Sequence, residues 1–304
     1  MENTFSFSIK VPASTANLGP GFDSIGLAVN RYLTLSVKPS SDDNWTFVAM
    51  TEAVKGIPTG KENLVYQVAA AVAADYGQVL PACRVQMTSD IPLARGLGSS
   101  AAAIVAGIEL ANILLTLNLS MAEKARRASL FEGHPDNATA SLYGGLVIGM
   151  HDETETQIVF GQTPEIDLVA VIPSYELKTQ AARSLLPESM PYKEAVKASA
   201  VANVLVAAML TNQWSLAGKM MMQDLFHQPY RMQVVPELKK SLDLASQLDV
   251  YGVSLSGAGP TVMFYVPQGQ GQRIQSELSK HFPGYNIQTL QVDTLGLQVN
   301  ISAE

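Results

Sequence analysis

Apolar and polar residues alternate strictly along Phe5-Ser6-Phe7-Ser8-Ile9-Lys10-Val11, the period of two that a half-buried strand shows. Looser alternation over residues 32–37 and 45–50 predicts two more strands. Residues 12–23, Pro-Ala-Ser-Thr-Ala-Asn-Leu-Gly-Pro-Gly-Phe-Asp, are too rich in glycine and proline for a regular element. The period then lengthens. Leu64, Val68, Val72 and Tyr76 stand four apart and mark a helix over residues 62–76. A short strand over 84–88 and an alanine-rich helix from about Leu97 to Leu115 follow. A further helix starts at Ser120, where Ser120-Met121-Ala122-Glu123 matches a capping box. The apolar run at 145–149 reads as a returning strand.

The second half opens after residues 151–163, a polar stretch suited to a hairpin tip or a linker. A strand over 168–172 precedes a helix over 176–186, which Pro187 stops. Helices over 193–210 and 214–226 form a pair, and a helix over 236–248 begins with Pro236, tolerated at a helix start. Residues 251–266 read as strand, glycine turn, strand; a helix over 271–281 and a strand over 285–292 complete the pattern. Helices mixed with hairpins argue for α+β rather than a doubly wound parallel sheet.

Composition narrows the class. Of 304 residues, 47% are hydrophobic and only 15% charged, which suits a packed core and excludes extensive disorder. The single cysteine, Cys83, excludes a disulfide framework or a cysteine-rich zinc site and fits a reducing cytosol. Met1-Glu2-Asn3-Thr4 carries no basic segment before an apolar run, so no secretory signal is expected. Polar residues break the apolar stretches, so no membrane span is expected either. Twenty Lys and Arg against 27 Asp and Glu give net −7, a poor balance for a nucleic-acid binder.

That balance conflicts with the strongest local signal. In Ile91-Pro-Leu-Ala-Arg-Gly-Leu-Gly-Ser-Ser-Ala-Ala-Ala103, two glycines allow a tight turn and two serines open the alanine-rich helix. Unpaired N–H groups and the positive dipole end at a helix start make an anion site. The segment is neither a GxxxxGK[ST] loop nor a GxGxxG turn, because no lysine follows and Ala101 replaces the last glycine.

The string Pro92-Leu-Ala-Arg-Gly-Leu-Gly-Ser-Ser-Ala-Ala102 resembles the phosphate-binding motif of the GHMP kinases. Val11-Pro-Ala-Ser-Thr-Ala-Asn-Leu-Gly-Pro-Gly-Phe-Asp23 is similar to the first motif of that family, and Ser254-Leu-Ser-Gly-Ala-Gly-Pro-Thr261 to the third. Glu132-Gly-His-Pro-Asp-Asn137 and His227-Gln-Pro-Tyr-Arg231 resemble the branch that phosphorylates homoserine for threonine biosynthesis. The resemblance covers essentially the whole chain. It implies a ribosomal-protein-S5-like α/β domain over residues 1–155, carrying the ATP loop, and a ferredoxin-like α+β domain over 156–304 that completes the substrate site.

It also implies roles for residues. ATP would meet Asn63 and Val65 at the adenine, with Leu64 and Tyr66 beside them. The phosphates would lie along Pro92, Leu93, Ala94, Arg95, Gly96, Leu97, Gly98, Ser99, Ser100 and Ala101. Ser99 or Ser100 would ligate Mg²⁺, Ser100 being favoured, with Glu132 as the completing carboxylate and Asp136 as its rival. Asn17 and Asp23 would hold the amino group and hydroxyl region of L-homoserine. Arg183 and Arg231 would grip its carboxylate, a task suited to a planar guanidinium. Thr179 and Gly257 would complete the substrate site, and Asn137, catalytic alongside Ser100, would orient the hydroxyl. No side chain stands out as a general base. His134 reads as structural, Cys83 as a small buried apolar residue, and Met220-Met221-Met222 as core or dimer contact. A cytoplasmic enzyme is expected, and the resemblance leaves a homodimer open.

Overall fold

The computed structural model describes residues 6–40 and 44–302. Met1-Glu2-Asn3-Thr4 and Phe5, the first position of the expected strand, lie outside the described residues. The alternating N-terminal segment forms β1 (Ser6–Ala16), which runs on through Pro12. Pro12 is tolerated because the register with β2 (Ile25–Pro39) shifts between Pro12 and Ala13, an irregularity where a missing ladder N–H matters least. β3 (Thr46–Ala49) follows, and then α1 (Leu64–Asp75) starts at Asn63, whose side chain accepts from Val65 N–H at 3.0 Å. β4 (Cys83–Ser89) leads through the glycine-serine segment into α2 (Ser99–Leu114). The capping box at Ser120 is present, and it opens α3 (Met121–Glu132). α4 (Asp136–Tyr143) then delivers the chain to the hairpin of β5 (Leu146–His151) and β6 (Thr156–Phe160).

These strands belong to one sheet, ordered with β11 (Gln298–Ser302) beside β1, then β2, β4 and β3, while β5 pairs with β2 and β6 with β5. Only the β3–β4 pairing is parallel. The polar stretch 151–163 thus holds a hairpin tip at 152–155 and, after it, strand β6. The division expected between residues 155 and 156 falls within this hairpin, and the C-terminal strand returns to the first sheet.

The second sheet has the order β10 (Asn286–Leu290), β7 (Ile166–Ile172), β9 (Val262–Pro267), β8 (Gly252–Leu255), with every pairing antiparallel. Between β7 and β8 come α5 (Thr179–Arg183), α6 (Tyr192–Leu210), α7 (Trp214–Met221), α8 (Gln228–Arg231) and α9 (Pro236–Ala245). α10 (Gly271–His281) links β9 to β10. Counted within this half, the strand order is 4-1-3-2 with helices after the first and third strands, the ferredoxin-like arrangement.

Two expected helices are cut short by specific contacts. Helix 176–186 contracts to α5 because residues 173–177 are strapped to the glycine-serine segment: Leu177 N–H donates to Ala94 O at 3.2 Å and Glu176 pairs with Arg95 at 3.5 Å. Helix 214–226 ends at Met221 because the Asp224 carboxylate accepts the N–H groups of Phe226 (2.7 Å), His227 (3.1 Å) and Gln228 (2.7 Å), turning the backbone into α8. One apolar core packs Ile9, Val11, Leu35 and Val85 of the first sheet on Val68, Val72 and Ile108, and continues through Met221 and Tyr265 into the second half. A second core places Val169, Phe264 and Val253 against Leu238, Ile274 and Leu278. Cys83 is buried in the first, and burial pushes its thiol up to about 11. Among the described residues no helix is long and apolar enough to cross a membrane.

Candidate active site

The start of α2 is built by its glycines. Gly96 has φ +77° and Gly98, the residue capping α2, φ +70°, both in the left-handed region. A Cβ at Gly96 would lie 2.3 Å from Ser256 O, and one at Gly98 2.3 Å from Ser14 Oγ. The loop therefore threads between the first and third motifs, and hydrogen bonds join all three. Ser14 N–H donates to Leu97 O at 3.2 Å, and the Ser256 hydroxyl donates to Gly96 O at 2.5 Å and lies 2.8 Å from the Thr15 hydroxyl oxygen. Gly257 N–H donates to Ala16 O at 3.1 Å. No side chain caps α2 at Gly98, so its first-turn amides are not occupied by a capping group.

These amides border a cleft of about 650 Å³. Leu93, Ala94, Gly96, Gly98, Ser99, Ser100 and Ala101 line it, whereas Pro92, Arg95 and Leu97 do not. Leu97 is buried in the core. Arg95 acts as a strut in this loop, donating to the carbonyls of Leu93 (2.7 Å), Pro173 (3.0 Å) and Ser174 (2.5 Å). One end of the cleft is apolar, walled by Val54, Ile57, Pro58, Leu64, Val65, Val68, Met87 and Ile104. Asn63 also lines it but spends its amide on Val65 N–H and on Pro58 O, the latter at 2.9 Å. Tyr66 is not part of the lining; its ring packs edge-on against Trp45, centroids 5.1 Å apart. Val54, Ile57, Pro58 and Met87 gave no signal in the sequence beyond ordinary apolar character.

Beside the phosphate loop, Glu132 is desolvated and its carboxyl pKa is raised, with His134 and the Ser100 hydroxyl opposing the shift and Asp136 adding to it. His134 Nδ1 lies 2.6 Å from Asp136 Oδ1. Burial alone would lower the His134 pKa, but Asp136, with help from Glu132 and Asp23, lifts it to about 9. Asp136 is therefore engaged, since Oδ1 also accepts the Asn137 N–H at 2.6 Å. Ser100 and Glu132 carry hard oxygen donors of the kind Mg²⁺ prefers, while Asp136 groups with Asp23 and His134 in a second cluster of ligand atoms within 4.8 Å of one another. The Asn137 Oδ1 is fixed by the Ser14 hydroxyl at 3.1 Å.

Across the cleft lies a charged cluster. Arg183 and Asp23 form a bidentate pair, both contacts 2.8 Å, and the pair raises the arginine pKa. Asn17 holds the Asp23 N–H on its Oδ1 and donates to Gly257 O, each at 3.0 Å, so its side chain braces this loop. Arg231 is buried, and burial together with the Arg183 charge lowers its pKa to about 10. The guanidinium carbons of Arg183 and Arg231 each lie 5.4 Å from the centroid of the Phe22 ring. Thr179 and Gly257 line the cleft beside them.

Beneath the cluster, His227 is fully buried, and burial lowers its pKa to about 4, with Arg231 adding to the effect and Asp224 opposing it. A histidine depressed in the folded state removes stability as pH falls from its unfolded value near 6.5 through about 4. Urea midpoints measured from pH 7 to pH 4.5 should therefore fall more steeply for the wild type than for His227→Asn. Equal slopes would contradict this assignment.

Helix-start amides, a neighbouring carboxylate and an apolar slot suit a nucleotide. The opposed charges of Asp23 and the arginines suit a small zwitterion. Together they suit a small-molecule kinase. Comparison with known proteins agrees. Residues 63–145 match the family model for the GHMP kinases N terminal domain, and residues 205–284 that for the GHMP kinases C terminal. A homoserine kinase of Bacillus velezensis is 57% identical over 95% of this chain and 93% of its own. One of Halalkalibacterium halodurans is 54% identical over 98% and 96%. The crystal structure of homoserine kinase from Cytophaga hutchinsonii superposes with TM-score 0.84 at 26% identity, covering 99% of both chains. The chain belongs to the GHMP kinase family and groups with its homoserine kinases.

Proposed function

We propose that this protein transfers the γ-phosphoryl group of ATP to the side-chain hydroxyl of L-homoserine, giving ADP and O-phospho-L-homoserine. The observation that carries this reading is the charged cluster opposite the α2 amides: Asp23 for an ammonium, Arg183 and Arg231 for a carboxylate. Arg183 and Asp23 neutralise each other across the cleft. Homoserine brings both complementary charges, so it can replace the pair without leaving either partner exposed in the cleft. Thr179 and Gly257 border this acceptor subsite and Asn17 braces its loop. The nucleotide would lie with its base in the apolar slot beside Asn63 and Val65 and its phosphates on the amides of Gly98 to Ala101.

Phosphoryl transfer needs alignment and charge stabilisation more than covalent help from the protein. Asn137, braced by Ser14 next to the phosphate loop, would orient the attacking hydroxyl. The oxygen forms its bond to the γ-phosphorus as the bond to the β–γ bridging oxygen breaks. The hydroxyl proton leaves onto the transferred phosphoryl group, because neither nearby imidazole is a ready base. His134 is held protonated by Asp136, and both ring nitrogens of His227 have partners. Ser100 and Glu132 would hold Mg²⁺, which when bound neutralises charge on the β and γ phosphates. A cytoplasmic location belongs to this reading, supported by the lone buried cysteine.

The test is ADP formation by a coupled assay across homoserine, mevalonate and galactose. Turnover confined to homoserine is expected. Turnover with mevalonate or galactose but not homoserine would overturn the acceptor, and ATP binding without ADP formation would overturn the activity.

A further inference from the structure

We propose that His227, through the neutral tautomer protonated at Nε2, is a positioning residue that aims Arg231 at the acceptor's carboxylate and ties it to the loop carrying Asp23. Arg231 can only donate hydrogen bonds. Its Nη1 lies 3.0 Å from His227 Nδ1, so Nδ1 must be the acceptor and the ring proton must sit on Nε2. Nε2 faces Gly19 O at 2.9 Å, an acceptor that needs that proton. The two contacts thus specify one tautomer, and a charged imidazolium would lose the bond to Arg231.

Asp224 does not compete for this role. Its Oδ2 is 3.4 Å from Nε2, but the carboxylate already accepts the backbone N–H groups of Phe226, His227 and Gln228. The ring is further fixed by Phe22, stacked at a centroid distance of 5.2 Å and an angle of 22°. Gly19 is held just as tightly, since a Cβ there would lie 2.3 Å from Met221 O.

Arg231 is left one free edge. Nε donates to Ala182 O at 3.4 Å, and Nη1 serves His227 and Gly257 O, the latter at 3.1 Å. Among the described residues, Nη2 has no hydrogen-bond partner, and Arg231 lines the cleft. His227 therefore helps set which guanidinium edge meets the acceptor. Because its other nitrogen holds the loop of Asn17 and Asp23, one imidazole links the group proposed for the carboxylate to the segment proposed for the ammonium. This inference rests on the reading of Arg231 as a carboxylate ligand.

Two amide substitutions separate the two ring contacts. His227→Asn keeps an oxygen near Nδ1 and loses the donor at Nε2; His227→Gln keeps an N–H near Nε2 and loses the acceptor for Arg231. Steady-state kinetics are measured for both, with folding checked by circular dichroism and Arg231→Lys as reference. A hydrogen bond to a charged group is worth enough that the KM for homoserine should rise about tenfold in His227→Gln, with kcat and the KM for ATP within about twofold. In His227→Asn the KM for homoserine should rise less, by about threefold, since the acceptor for Arg231 is retained and only the tie to Gly19 is lost. A folded His227→Gln with unchanged KM for homoserine, or a comparable rise in both variants or for both substrates, would overturn the proposal. If His227→Gln does not fold, a tenfold rise in His227→Asn would also overturn it. An unchanged KM in Arg231→Lys would instead defeat the reading of Arg231 as carboxylate ligand.

Discussion

Gly96→Ala should lower kcat/KM by at least about 100-fold, because a displacement of about 1 Å in a catalytic constellation costs that much. The residue sits at φ +77°, and its new Cβ would meet Ser256 O at 2.3 Å and Gly259 O at 2.8 Å. Both are backbone atoms of the third motif, so neither can swing aside. The loop must move, and with it the amides of α2. Stability should fall by about 2–4 kcal/mol, the sum expected from overpacking and a left-handed alanine. Gly269→Ala is the control. It has φ +82° but nothing within 4 Å of a built Cβ, so it carries only the conformational cost, about 1 kcal/mol, without loss of activity. Urea denaturation and the coupled assay on both variants decide the matter. Equal behaviour would mean that convergence of the motifs does not matter for catalysis.

Asp23→Ala should raise the KM for homoserine by roughly 100-fold, the effect of removing one partner of a close charge pair. Saturating homoserine should then restore kcat to within about tenfold of wild type, since no proton is assigned to this carboxylate. The geometry argues for that split. Both Asp23 oxygens accept from Arg183, an arrangement suited to exchange with a zwitterion. The opposite outcome, chemistry abolished while calorimetry shows homoserine binding intact, would make Asp23 a base and end the base-free account.

What could be read along the chain was what is local. The capping box at Ser120 and the glycine pair before α2 each depend on neighbours a few residues away, and both are in the structure. What could not be read depends on distant partners. Nothing near Arg95 shows that its guanidinium is spent on Pro173 and Ser174, nor near Asp23 that its partner is 160 residues on. The apolar slot is assembled from separate loops and helices, whose residues look like any core. His227 lay inside a stretch that resembled the family, yet its function depends on Gly19, far back in the sequence. The net charge of −7 misled for a related reason. Anion binding assigned to backbone N–H groups leaves no trace in a count of lysines and arginines. The acidic balance still speaks against nucleic acid, and it never bore on ATP.

In the productive complex the donor phosphates should occupy the start of α2 while the acceptor zwitterion displaces the Asp23–Arg183 pair. A crystal structure with homoserine and a non-hydrolysable ATP analogue tests it most directly. Phosphates are expected on the amides after Gly98, the homoserine ammonium on Asp23, and Arg183 and Arg231 converging on one carboxylate. An intact Asp23–Arg183 pair with homoserine bound elsewhere would contradict it.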